Sequence, residues 1–162
     1  VHQRGEIDKT DTLWVSGGSG AFRKNIWEKL GGFDELYKPF YWEDIDLSYR
    51  ALKSGYKILF EPKSRVIHEH EAGAIKTHYQ SSLIKIIAYR NQFIFVWKNM
   101  TDFDKRFLHL LWLPYHLLTA LLRGDFYFWG GFFLALVKLP AVIKESFRVQ
   151  KLFIKSDKEI LG

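Results

Sequence analysis

Thr12 to Ser16 reads Thr-Leu-Trp-Val-Ser, a short apolar run stopped by Gly17-Gly18, and predicts a buried strand. From Phe22 to Leu30 the period becomes helical. Phe22, Ile26, Trp27 and Leu30 share one side, and Gly31-Gly32 ends the element as glycine does after a helix. Phe33 to Trp42 is an aromatic loop holding Pro39. Glu43 to Ser54 predicts a second helix with Ile45, Tyr49 and Leu52 as its buried stripe, stopped by Gly55. Tyr56 to Phe60 and Arg65 to His68 read as strands around a turn at Pro62. Residues 12–70 therefore run strand, helix, helix, strand, strand. The fold class this predicts is α/β, a fragment of a mixed sheet with strands whose neighbours the chain does not supply.

The pattern changes near Lys76. Thr77 to Met100 carries one long helical repeat, with Leu83, Ile86, Ile87, Arg90, Ile94 and Trp97 on a face. Two apolar stretches follow. Phe107 to Leu122 is interrupted by Pro114, and Phe126 to Ile143 contains Gly130-Gly131, Lys138 and Pro140. Each falls short of the roughly 20 mostly apolar residues that a spanning helix needs. They are expected to lie in a membrane interface, with Trp112, Tyr115, Tyr127 and Trp129 at headgroup depth, or to form a tight re-entrant hairpin. Residues 1–73 are thus read as one unit and 74–162 as a helical, amphipathic and apolar extension.

Charge sharpens that division. Residues 1–72 hold 11 Lys/Arg against 12 Asp/Glu, whereas 73–162 hold 13 against 6. The basic excess coincides with the apolar, aromatic part, which fits a membrane surface. Nucleic-acid binding predicts cations interleaved with exposed aromatics on a groove. Here the cations flank long apolar runs, so that class is set aside. The chain has no cysteine, which excludes disulfides, thiolate catalysis and cysteine-based zinc sites. Its 162 residues are enough for one modest core. It opens on Val1, and the expectation is a piece of a longer protein whose N-terminal half is missing.

Candidate chemistry concentrates at Glu43, Asp44 and Asp46. Acids at a helix start are favoured by the helix dipole alone. Asp46 and Arg50 have i,i+4 spacing and are expected to pair on the helix surface in a structural role. Glu43 and Asp44 follow Phe40, Tyr41 and Trp42. Large apolar rings raise a carboxylate's pKa and make it a better base. Gly17 and Gly18 allow a ligand to approach the backbone closely. Aromatic faces such as Tyr41 and Trp42 stack on sugar C–H surfaces, and a carboxylate can take a hydroxyl proton. Gly17, Gly18, Tyr41 and Trp42 are therefore the candidate acceptor-binding residues.

Four segments in order resemble glycosyltransferase family 2, a family of the GT-A (Rossmann-like) fold. Ser16 to Arg23 resembles its small-residue turn and helix start. Leu30-Gly31-Gly32-Phe33-Asp34-Glu35 is similar to its GGFDE segment, and Tyr41 to Arg50 to its EDxDLxxR segment. Gly55 to Ile58 and Pro62 to His68 resemble the strands that follow. The likeness covers residues 12–70, and Arg90-Asn91 resembles a pair in the family's next long helix. It implies the C-terminal part of a GT-A domain in an inverting enzyme of hexosyl or rhamnosyl type. Such an enzyme moves a sugar from a nucleotide-diphosphate donor to a saccharide or lipid-linked acceptor in cell-surface polysaccharide or glycolipid synthesis. Asp44 would be the catalytic base, and Glu43 would position the acceptor or Asp44.

The resemblance further implies a divalent cation, Mg²⁺ or Mn²⁺, held mainly by an Asp-x-Asp segment absent from this chain. Asp44-Ile45-Asp46 has those letters but stands in the wrong motif, on a helix. His68 is a candidate to complete the metal site or touch the diphosphate; His70 is a weaker one. His2, His78, His109 and His116 are given no role. Arg90 falls on an apolar helix face and needs a partner, either an acid or a lipid or sugar phosphate, with structural pairing favoured. The implied location is the cytoplasmic face of the cell membrane. The competing reading is a membrane-docking or interaction module descended from such an enzyme, without catalysis.

Overall fold

The computed structural model describes residues 11–64 and 74–162. Among the described residues eight α-helices follow one another: α1 Lys24–Leu30, α2 Glu43–Lys53, α3 Ala74–His78, α4 Ser81–Asn99, α5 Phe103–Leu122, α6 Phe126–Val137, α7 Leu139–Gln150 and α8 Asp157–Leu161. A 3-10 turn, Glu35–Tyr37, precedes α2.

The expected α/β fold class is overturned. Among the described residues there is no strand. An antiparallel bridge joins Asp11 to Leu59, with Thr12 N–H donating to the Ile58 carbonyl at 3.2 Å. Segments 12–16 and 56–60 do meet, but no third strand lies beside them among the described residues. A lone pair of short extended segments does not make a stable sheet, and Leu13 and Leu59 accordingly stay exposed. The predicted strand Arg65 to His68 lies outside the described residues.

The helices α4, α6 and α7 build the main core. Phe93, Ile94 and Phe95 of α4 pack with Ala135 of α6, Val142 of α7, Tyr37 and Tyr49. This core joins residues on both sides of position 73. The tightest crossing is at Gly131, where an added Cβ would stand 2.5 Å from the Cβ of Tyr89 and 2.8 Å from the Arg90 backbone nitrogen. Only glycine lets the two helices come so close. A second cluster seals α1 onto α2 through Leu30, Leu47 and Ala51, with Phe22, Trp27 and Leu152 packed against it.

The mixed-charge residues from Glu145 onward form the end of α7 and α8. Buried Asp157 accepts from Tyr49 (2.6 Å), from Lys53 (2.6 Å) and from the Thr101 and Asp102 N–H groups (2.6 and 2.7 Å). Burial opposes ionisation of this carboxyl, but these donors together hold it below the usual range.

Helix α5 runs unbroken through Pro114 for 20 residues, and Ala120 is its only buried residue. Among the described residues no single helix is long and apolar enough to cross a membrane. Helices α6 and α7 pass that test only together, across a 67° bend.

Candidate functional site

Helix α2 starts where the dipole and the acids agree, with Glu43, Asp44 and Asp46 in its first turn. The residue before it, Trp42, has φ 74°, and Tyr41 has φ 69°. Two consecutive bulky residues in the left-handed region cost about 1–3 kcal/mol each, and such outliers persist only where the surroundings fix them. Helix α4 does this. Asn91 Nδ2 lies 2.9 Å from each of the Tyr37, Phe40 and Tyr41 carbonyls.

Asp44 faces the Gly17 loop. Its Oδ2 accepts the Gly17 N–H at 3.0 Å, and its Oδ1 accepts the Ile45 N–H at 2.8 Å. Ser48, one turn on, donates to the Asp44 carbonyl (2.6 Å) and accepts from Val15 N–H (2.9 Å). Residues 15–17 are thereby strapped to the first turn of α2. The predicted pair Gly17 and Asp44 comes together. Gly18 is exposed, with nothing within 4 Å of the position its Cβ would take.

The aromatic residues divide. Tyr41 is exposed. Trp42 turns inward, its ring 5.2 Å from Phe95 and packed on the core. The ring nearest Gly17 is Phe33, 3.6 Å from the position of an added Gly17 Cβ. Phe33 is partly exposed and completes a T-shaped group with Phe22 and Trp27. In the sequence Phe33 stands in a turn motif and at the head of the aromatic loop, with no role of its own. Its signal was the aromatic directly after Gly31-Gly32.

Glu43 is half-buried, and its Oε2 is buried with no hydrogen-bond partner among the described residues. Burial, with some help from the Asp44 charge, pushes its carboxyl above the usual glutamate range.

Asp46 is a different kind of acid. It is wholly buried and accepts from Arg50 Nε (2.8 Å), Tyr37 Oη (2.8 Å) and Asn99 Nδ2 (2.7 Å), with Lys98 Nζ at 2.7 Å. Burial alone would raise its pKa, but Lys98 and Arg50 outweigh that and hold it below the usual range. The Asp46–Arg50 pair forms in the interior, not on the helix surface that the spacing suggested. Arg50 also donates to the Leu30 and Gly32 carbonyls, fixing the end of α1 and the Gly-Gly turn. Lys98 bridges Asp46 to Asp34 at 2.6 Å. The acid of the GGFDE turn is thus part of this buried network.

Arg90 is buried but meets no carboxylate among the described residues. It donates to Asn91 Oδ1 (2.9 Å) and to the Lys38 carbonyl (2.5 Å). His109 accepts from Trp97 Nε1 at 3.0 Å and serves packing.

A divalent cation finds no home in these residues. Among the described residues, no group of three His, Asp or Glu side chains converges to hold a metal. Every polar contact of Asp46 is already committed to protein cations and donors. His68 and His70 lie outside the described residues.

Comparison with known proteins fits this picture in part. No family model matches the chain, and no solved structure matches it. Two curated relatives are each 33% identical over 89 residues, 51% of this chain and 29% of the relative. Both are the N-acetylglucosaminyl-diphospho-decaprenol L-rhamnosyltransferase of Mycobacterium tuberculosis, from strains CDC 1551 / Oshkosh and ATCC 25618 / H37Rv. The chain spans about three-tenths of their length. Over half its own length it is a distant relative of a glycosyltransferase.

Proposed function

We propose that this chain is the acceptor-side part of an inverting glycosyltransferase of family 2 type, with Asp44 as the general base. The observation that carries the reading is the Gly17–Asp44 contact. It places an accessible carboxylate beside an open glycine backbone and the Phe33 ring, which suits a sugar hydroxyl. Asp44 takes the proton of the acceptor hydroxyl as that oxygen attacks the donor's anomeric carbon, and the nucleoside diphosphate departs with its electron pair. Glu43 lines the same turn and orients the acceptor.

The activity that names the relatives guides the choice of substrates: a nucleotide-linked L-rhamnose as donor and an N-acetylglucosaminyl-diphospho-prenol as acceptor. The relatives' greater length supports an N-terminal half that binds the donor. In this reading the Mg²⁺ or Mn²⁺ belongs with ligands supplied there, and the base step does not pass through it.

In this reading the enzyme works against a membrane, at its cytoplasmic face. Phe107, Leu111, Leu118 and Leu122 of α5 are all exposed and fall on one side of the helix, and the basic excess of residues 73–162 suits anionic lipid. A lipid-linked acceptor would be met there.

The test is sugar transfer by the full-length protein. Asp44→Asn should lower transfer about 10²–10⁴-fold while leaving donor binding, read by calorimetry with the nucleotide sugar, largely intact. Near-normal transfer by this variant would sink the assignment and favour a docking module without catalysis.

A further inference from the structure

We propose that Arg90 and Asn91 are positioning residues for Glu43 and Asp44, acting through the backbone of residues 37–42. The inference rests on the reading of Asp44 as base and adds the device that aims it.

Asn91 is wholly buried on α4. Its orientation is fixed from one side, because its Oδ1 accepts from Arg90 Nε at 2.9 Å and Nη2 at 2.8 Å. The amide nitrogen must then face the loop, where it meets the Tyr37, Phe40 and Tyr41 carbonyls. An amide has two hydrogens, so these three contacts share them. Arg90 Nη2 adds the Lys38 carbonyl. From α6's end, Lys138 Nζ reaches the Leu36 carbonyl at 3.2 Å.

Carbonyls from Leu36 to Tyr41 are therefore gripped by side chains of α4 and of Lys138. The grip ends at the left-handed pair Tyr41 and Trp42. Trp42 is the residue from which α2 departs, and its carbonyl accepts the Asp46 N–H at 2.8 Å. Unsupported, this turn would relax toward ordinary φ and rotate the first turn of α2. Glu43 and Asp44 stand on that turn. Arg90 is suited to the task because among the described residues it meets no acid, and its charge is directed at the Lys38 carbonyl and the Asn91 amide oxygen.

The experiment uses full-length protein with nucleotide-linked L-rhamnose and an N-acetylglucosaminyl-diphospho-prenol. Asn91→Asp keeps the size and the Arg90 contact but removes the donor to the loop. Misplacing a catalytic group by about 1 Å costs about 100-fold. We expect kcat to fall about 100-fold, with donor KM within about twofold. Hydrogen exchange should accelerate over residues 37–47 and not over α5 and α6. Arg90→Lys, which keeps charge and loses the fork, should show the same pattern more mildly and carries the test if Asn91→Asp does not fold. A parent-like kcat in a folded variant of either residue overturns the proposal. So does an equal rise in exchange everywhere. If Asp44→Asn is inactive while Asn91→Asp transfers normally, only the positioning role fails. If Asp44→Asn transfers normally, the reading of the base fails with it. Absence of transfer by the parent itself, with this donor and acceptor, overturns both.

Discussion

Asp44 and Asp46 stand two residues apart on α2 and meet opposite worlds: Asp44 takes the Gly17 N–H at the surface, and Asp46 is wholly buried among Arg50, Lys98, Tyr37 and Asn99. Two residues turn a helix by about 200°, so one carboxylate is presented outward while the other is sunk. Replacing each with asparagine should separate chemistry from stability. Asp44→Asn should lower transfer about 10²–10⁴-fold, the worth of a positioned base, with urea stability within about 0.5 kcal/mol of the parent. Asp46→Asn leaves two buried cations short of an anion and should cost about 3–5 kcal/mol. Urea titrations of both variants check this.

Acid should act on two groups in opposite senses. Asp46 and Asp157 have folded pKa values below their unfolded ones. Their contribution is complete above about pH 4 and is lost as pH falls through the folded values. Glu43 has a folded value above its unfolded one. Its relative stabilisation is complete below about pH 4 and is lost as pH rises through the folded value. Glu43→Gln should therefore match the parent near pH 4 and be the more stable protein above it. A stability difference that is flat with pH would show that Glu43 titrates normally.

Much of this was legible, and the boundary of legibility is physical. The ends of α1 and α2 were readable because their causes are local: Gly31 takes φ 83° as a left-handed cap, and three acids open α2. The burial of Asp46 was not. Its partners Lys98 and Asn99 lie more than 50 residues away, and the i,i+4 spacing to Arg50 is the same on a surface or in a core. The strands expected at 12–16 and 56–60 failed for the converse reason. Thr12 to Ser16 has strand composition, but a strand is made by its neighbours. At the candidate site, the aromatics were read as one wall. Only the left-handed turn shows that Tyr41 points out while Trp42 packs inward.

Gly131 should resist any side chain. Its Cβ would strike backbone atoms of α4, which cannot swing away. Gly131→Ala should cost about 1–3 kcal/mol, as overpacking does. Gly18→Ala, with open space around it, should change stability by no more than about 0.5 kcal/mol. Thermal melts of the two variants make the comparison.

The exposed face of α5 should govern attachment to lipid. Leu111→Glu with Leu118→Glu should weaken flotation with anionic vesicles and leave the melting temperature unchanged, since neither side chain is buried. Raising salt should weaken the parent's binding as well. Undiminished flotation of the double variant would point to a different attachment surface.

The Lys53–Asp157 contact sets an order on the making of the chain. The lysine precedes its carboxylate by 104 residues. At synthesis rates of about 5–20 residues per second, that interval lasts roughly 5–20 seconds. Among the described residues, Asp157 is the anion with which the ammonium of Lys53 enters the interior. The helix that carries Asp44 is thus made 104 residues before the carboxylate that locks it.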